Sequence, residues 1–315
     1  MSLRLSTGPH ILPRENTGTI MRDVLIALAP ATAAGIYLFG LSAAIVLVVS
    51  VASAVLAEGL WQKLTGQRVL VRDLSAVVTG LLLGLNLPAN APWWMAMIGS
   101  AVAIILIKQL FGGVGQNFLN PALAARAILL ASWPARMTTF KVPERLIQIG
   151  YESTATIGVD AVTSATPLAK GGAPLMDLLW GNIPGTIGEV CKIAILIGFV
   201  YLLIRRTIMP HIPLLFVGSV ALMTWLLGGD PLQAILTGGV LFGAVFMATD
   251  YVTNPMMIVG QCIFAVGCGV IVVVIRQFGN YPEGVTFAIL IMNILTPLID
   301  RFSKRRVYGE VKQGA

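Results

Sequence analysis

The chain has 315 residues, of which 57% are hydrophobic and only 11% charged, with a mean hydropathy of +0.86. Soluble domains run at roughly 45–50% apolar and about 25% charged, so a soluble fold is excluded and lipid must supply part of the solvent. The formal net charge of +7 fits either a nucleic-acid patch or a membrane topology with positive loops inside, and the placement of the basic residues favours the second.

Residues 1–21 are polar and broken by Pro9 and Pro13, without an apolar core followed by a small-residue cleavage site, so this segment is expected to be retained at the cytoplasmic side. Ten apolar runs then follow, punctuated by Pro, Gly and charge: 22–39, 41–58, 75–88, 92–110, 117–133, 188–205, 211–228, 232–249, 257–275 and 283–300. The third is short, as a broken or tilted helix would be. With the N-terminus inside, one side collects Arg4, Arg14, Arg22, Lys63, Arg68, Arg72, Lys108, Arg205, Arg206, Arg301, Lys304, Arg305, Arg306 and Lys312, while the connections near 40, 89–91 and 229–231 carry no Lys or Arg. Both termini are therefore expected in the cytoplasm. The single long connection, 134–187, is expected outside, in the periplasm of a cell that has one. Its Arg136, Lys141, Arg145 and Lys170 do not oppose this, because long loops obey the charge rule weakly.

A faint repeat runs through the chain. VVTGLLLG at 77–84 is echoed by LTGGVLFG at 236–243, and IKQLFG at 107–112 by IRQFG at 275–279, in the same order. Five spans before the long connection and five after it force opposite orientations on the two halves. The expected architecture is an all-α integral membrane protein of ten helices in two inverted five-helix repeats, 22–133 and 188–300, with a basic tail at 301–315.

Ligating residues are scarce. Cys191, Cys262 and Cys268 lie in or beside apolar runs with no metal-binding spacing, and they read as inert buried thiols. The only histidines are His10, before the first run, and His211, at the very start of the seventh, so none lies within a span to pair with another, which excludes a haem held between two helices by paired imidazoles. Arg126 is the one charge read inside a span, and it must face a partner subunit, a carbonyl or an anionic ligand such as a flavin or its phosphate. Glu58, Glu189, Asp250 and Asp300 read as span-end carboxylates, so no proton relay is evident. DYVTNP at 250–255 is expected either to cap the next helix or to line a cofactor site. Trp93, Trp94 and Trp133 read as interfacial anchors.

Two strings carry the chemistry. In the long connection, residues 160–166 read DAVTSAT. A hydroxyl there is free to enter another enzyme's active site, Ala165 leaves room around it, and Pro167 holds Thr166 extended and away from helix. The string resembles the motif D-x-x-[ST]-[GSA]-[AS]-[ST], on which a flavin transferase esterifies FMN to the last hydroxyl. That resemblance makes Thr166 the acceptor and Asp160, Ser164 and Ala165 recognition positions. The second string, GGVGQNFLNPA at 112–122, closes the fourth span and opens the fifth. Its glycines allow close backbone approach, and Asn120 with Pro121 fits a helix start. No GKS/T follows and no soluble strand precedes, so a P-loop or dinucleotide fold is rejected. This string is similar to the matching segment of the D subunits of Rnf electron-transport complexes and of the B subunits of their Nqr relatives, and Gly113, Gly115, Asn117 and Asn120 become candidate cofactor contacts together with Arg126.

The resemblance covers the whole chain. It implies a subunit, inactive alone, of a complex in the bacterial inner membrane that passes electrons between ferredoxin and NAD while moving Na⁺ or H⁺. The cofactors implied are covalent FMN on Thr166 and a second, non-covalent flavin such as riboflavin. The partners implied are the A, B, C, E and G types of subunit, a flavin transferase and membrane lipid, with no nucleic acid. The ferredoxin and NAD sites belong on other subunits, since this chain has neither iron–sulfur ligands nor a soluble nucleotide domain. Two alternatives stand beside it: the quinone-reducing Nqr B role, made less apt by a polar N-terminal region of only 21 residues, and a secondary transporter or channel built on the same inverted repeats.

Overall fold

A computed structural model describes residues 16–67, 73–141, 143, 163–164, 174–279 and 284–303. The first helix, α1 (Thr17–Phe39), starts at a capping box in which the Asn16 side chain accepts from the Thr19 amide at 3.1 Å and the Thr19 hydroxyl accepts from the Asn16 amide at 3.0 Å. It ends at Gly40, whose φ of 70° lets α2 (Leu41–Leu64) begin at once. Next come α3 (Ser75–Leu85), α4 (Trp93–Val102), which continues as a π-helical stretch over Ala103–Gln109, and α5 (Pro121–Ser132). A short α6 (Pro134–Met137) leads to β1 (Phe140–Lys141), which pairs antiparallel with β2 (Thr163–Ser164) in the register Phe140 to Ser164. The Lys141 ammonium lies 3.4 Å from the Phe39 carbonyl and ties this ladder to the α1–α2 corner.

After α7 (Leu175–Trp180) come α8 (Lys192–Ile204), α9 (His211–Leu226), α10 (Pro231–Leu236), α11 (Val240–Phe242) running into a π-helical Gly243–Met247, α12 (Ile258–Phe278) and α13 (Val285–Ser303). Among the described residues, four helices, α1, α2, α12 and α13, are long and apolar enough to cross a membrane, and shorter apolar helices lie in five of the other six runs. Large apolar side chains such as Leu41, Trp225 and Phe278 lie well exposed on their outer faces, which only lipid or a protein partner would tolerate. The chain is a multi-pass, helical membrane protein.

Two expectations are corrected here. The run 232–249 is not one helix: it breaks at 237–239, and the chain resumes as α11. Hydropathy averaged over a span is blind to such a break, because three small, uncharged residues barely lower the mean of the apolar run around them. The fifth helix starts at Pro121 rather than at 117, because Asn120 caps it.

Packing relates the halves. Helix α2 packs against α3 and α4, while α9 packs against α10 and α12; α1 lies on α8, and α5 on α13. Ser50 of α2 bonds Ser100 of α4 at 2.9 Å across a separation of 50 residues, and Ser219 of α9 sits against Gly269 of α12 at the same separation. Glycine makes these crossings close. A Cβ on Gly80 would come within 2.8 Å of both the Ala54 methyl and the Ser50 carbonyl, whereas one on Gly218 would meet nothing. Gly80→Leu is therefore expected to cost roughly 1–3 kcal/mol through overpacking, and Gly218→Ala to be neutral or stabilising by up to about 1 kcal/mol. Unfolding of the two purified variants in mixed detergent micelles, followed by circular dichroism, checks the pair.

Candidate functional site

The glycine-rich string builds one wall of a cavity. Gly112, Gly113 and Gly115 have φ values of 114°, 93° and 88°, a conformation that side chains with a Cβ rarely adopt. The chain thereby turns back under the fourth span, and Phe111 and Phe118 close the loop edge-on with ring centroids 4.8 Å apart. Asn120 then works at both ends of its side chain. Its Oδ1 accepts from the Ala122 and Leu123 amides at 3.1 and 3.3 Å, capping α5, while its Nδ2 donates to the Met247 carbonyl at 3.4 Å, in the other half of the molecule. Asn117 donates to the Leu119 carbonyl at 3.0 Å.

Gly115, Asn117 and Asn120 all face a cavity of about 840 Å³, counting its open mouth. Its floor is apolar, with Val78 and Leu82 of α3 and Val245 and Phe246 of the second π-helical stretch. Its rim includes Asp250, Tyr251 and Val252. Residues 250–252 of DYVTNP line the cavity, and the string does not cap the next helix. The N-cap position of α12 is Met257, and the Asp250 carboxylate serves a local turn instead, accepting from the Val252 amide at 3.3 Å and the Thr253 hydroxyl at 3.4 Å. Burial pushes the Asp250 carboxyl above its ordinary value, against these two donors, which pull it down.

The polar wall of the cavity corrects the reading of the charged residues. Glu58 is wholly buried inside α2 rather than at a span end, and Lys108, expected among the cytoplasmic cations, is 3% exposed. The Lys108 ammonium donates to Glu58 Oε1 at 2.7 Å and to Ser75 Oγ at 2.6 Å, and Gln109 Nε2 donates to the same Oε1 at 2.7 Å. Ser75 in turn donates to Asp73 Oδ1 at 2.7 Å. Both Lys108 and Ser75 line the cavity. Arg126 is thus not the only buried charge: Lys192 and Glu189 are buried at the start of α8 as well. Lys192 donates to the Glu189 and Gly238 carbonyls, and Arg276 to the Ala234 and Thr237 carbonyls at 2.7 and 3.0 Å.

Arg126 itself lies elsewhere, between the halves, donating to Asn86 Oδ1 at 3.2 Å and Thr286 Oγ1 at 3.1 Å. Gly113 is outside the cavity lining, donating its amide to the Lys108 carbonyl at 3.0 Å. Trp94 stacks edge-on with Trp133 at 5.3 Å, under the Arg136 guanidinium. Ser164 is placed in β2, while Asp160, Ala165 and Thr166 lie outside the described residues. Lys108, Ser75 and Thr79 were missed as site residues. The one available signal was the repeated IKQLFG string, which marks Lys108 as part of a packed element rather than a loop.

The chain matches the model of the NQR2, RnfD, RnfE family over residues 4–309. It belongs to this family. The D-type subunit of the Na(+)-translocating ferredoxin:NAD(+) oxidoreductase complex of Acetobacterium woodii is 47% identical, with 99% of this chain and 97% of the relative covered. The D-type subunit of the proton-translocating ferredoxin:NAD(+) oxidoreductase complex of Clostridium ljungdahlii is 39% identical, with 97% and 96% covered. The D-type subunit of the ion-translocating oxidoreductase complex of Halorhodospira halophila is 38% identical, with 99% and 97% covered. Family membership thus extends end to end, while the names of the relatives differ in the ion moved.

Asn120→Ala removes both a helix cap and the bond to Met247, and is expected to cost about 2 kcal/mol, roughly one for each. Asn120→Ser keeps a capping hydroxyl but is too short to reach Met247, and is expected to recover about half of that loss. Denaturation midpoints of the two variants in the same detergent measure the split.

Proposed function

We propose that this chain is a D-type subunit of an ion-translocating ferredoxin:NAD⁺ oxidoreductase complex in the bacterial inner membrane, and that it relays electrons through two flavins while the complex moves Na⁺ or H⁺. Its fold in this reading is ten spans in two inverted halves, with both termini cytoplasmic and the 134–187 connection outside. The matched packing of the halves supports this, as do the two cations of the repeated strings: Lys108 reaches residue 75 and Arg276 reaches residue 234, each two positions before its copy of the glycine string.

The observation that carries a cofactor role is the cavity, where Gly115, Asn117 and Asn120 meet 250–252. An apolar floor closed on one side by Phe246, with polar side chains gathered along the edge, suits a flat ring system that has one apolar end and one end rich in hydrogen-bonding groups. Riboflavin has that form, and the residues present fit it. Asn117 and Asn120 would hold the ring's polar edge, and Val78, Leu82 and Val245 would keep water from its apolar end. A bound flavin supplies the electron-accepting and electron-donating ring; the protein contributes position and electrostatics.

The second flavin in this reading is FMN, joined by its phosphate to the Thr166 hydroxyl. Its support is the DAVTSAT string at 160–166, and a flavin transferase is required for the attachment. The other subunits, of the A, B, C, E and G types, would bring the ferredoxin and NAD sites. The names of the relatives favour this role over quinone reduction.

The test is the full chain made together with a flavin transferase, run on a denaturing gel under ultraviolet light, with the modified peptide mapped by mass spectrometry. The expected result is an FMN adduct on Thr166 that Thr166→Ala abolishes while the membrane fold is kept. Acid extraction of the same protein is expected to release riboflavin, and Asn117→Leu to lose most of it without losing the adduct. An unmodified 160–170 peptide and an extract free of flavin would replace this reading with that of a transporter on the same fold.

A further inference from the structure

The cavity has a cation in its wall whose charge is nearly, but not wholly, spoken for. Lys108 lines the cavity at 3% exposure, and an ammonium has three N–H donors. Two go to Glu58 Oε1 and Ser75 Oγ. The third has no acceptor among the described residues. The counter-charge is set one layer further back: Glu58 is completely buried and does not line the cavity. Its Oε1 takes both the Lys108 and the Gln109 donors, while its Oε2 is buried without a hydrogen-bond partner among the described residues.

Neighbouring residues Lys108 and Gln109 reach one carboxylate oxygen because the fourth span is π-helical over Ala103–Gln109. The wider π turn sets successive side chains closer together around the axis than an α-helix does, and such turns concentrate at functional sites. A buried ion pair stabilises a fold little, so stability does not explain why the span is rewound to present one. Position does: the positive end faces the cavity and the negative end faces away from it.

We infer that Lys108 is the charge-compensating residue of the cavity, holding the negative charge that arrives when the cavity's flavin is reduced, and that Glu58 sets how much of the Lys108 charge the flavin feels. This rests on the reading that the cavity binds a flavin. A unit charge a few ångströms from the ring in a partly screened interior shifts the ratio of reduced to oxidised flavin by about tenfold or more, which is about 30 mV for a two-electron couple.

The experiment is a redox titration of the full chain in the Thr166→Ala background, so that cavity flavin is the only flavin titrated by absorbance. Glu58→Gln keeps the shape of the pair and leaves Lys108 unopposed, and its potential is expected to rise by about 30 mV or more, a tenfold change. The double variant Glu58→Gln/Lys108→Gln removes both charges without leaving either one buried alone, and its potential is expected to fall below that of the parent, since the nearer charge dominates in the parent. The order single, parent, double from high to low supports the assignment. Equal potentials in flavin-loaded samples, or the reverse order, would overturn it and leave the flavin site standing; a parent protein holding no flavin would overturn both. Should the single variant fail to fold, the parent and the neutral double variant alone decide by the sign of their difference.

Discussion

Inside a bilayer a backbone amide or carbonyl released from a helix finds no water, so each must be satisfied by the protein itself. This molecule releases several, because α3 stops after eleven residues and the eighth span breaks at 237–239. The released groups determine much of what surrounds them. At the end of α3, the Gly188 and Ile187 amides donate to the Leu85 and Leu87 carbonyls at 2.7 and 3.1 Å, so the segment before α8 serves as a cap. At the break, two cations take over: Lys192 donates to Gly238, and Arg276 to Ala234 and Thr237. Positive charge is at home there, because the carbonyls at the end of α10 carry the negative end of its dipole. Charged groups that are costly in lipid become structural where helices are interrupted.

The cavity follows from the same interruptions. A continuous eighth span would drive Val245 and Phe246 along one uninterrupted ridge, whereas the π-helical Gly243–Met247 offers them as a floor and brings the Met247 carbonyl within reach of Asn120. Asn120 is thereby a cap for one half and a tie to the other. The family to which the chain belongs, matched over 4–309, includes relatives named for electron transfer coupled to ion movement.

Much of the architecture was legible because apolar runs long enough to matter are written directly in composition. Helix occurs in every run expected, and the Asn-Pro start of α5 was readable because capping is a local affair of a few residues. What escaped was tertiary. Glu58 and Lys108 looked like span ends because hydropathy assigns each charge to the nearest boundary, yet α2 continues to Leu64, and the pair neutralise each other in the interior. Arg126 was rightly marked as a charge needing a partner, but its partners, Asn86 and Thr286, lie 40 and 160 residues away. Of the cavity, the Gly-Asn wall was legible and the contribution of α3 was not, since nothing local in VVTGLLLG says what faces it.

The contact between α1 and α8 bears on how the halves can move. Gly198 lies directly beneath the Ala27 carbonyl, so close that a single Cβ there would collide with it and with the Phe246 ring. Two helices that meet backbone to backbone at a glycine have no lubricating layer of side chains between them. Sliding α8 by one turn would bring Ile195 or Leu202 under that carbonyl. The crossing is a rivet rather than a bearing: it fixes the register of α1 against α8, and the two helices cannot slip past each other there without first separating.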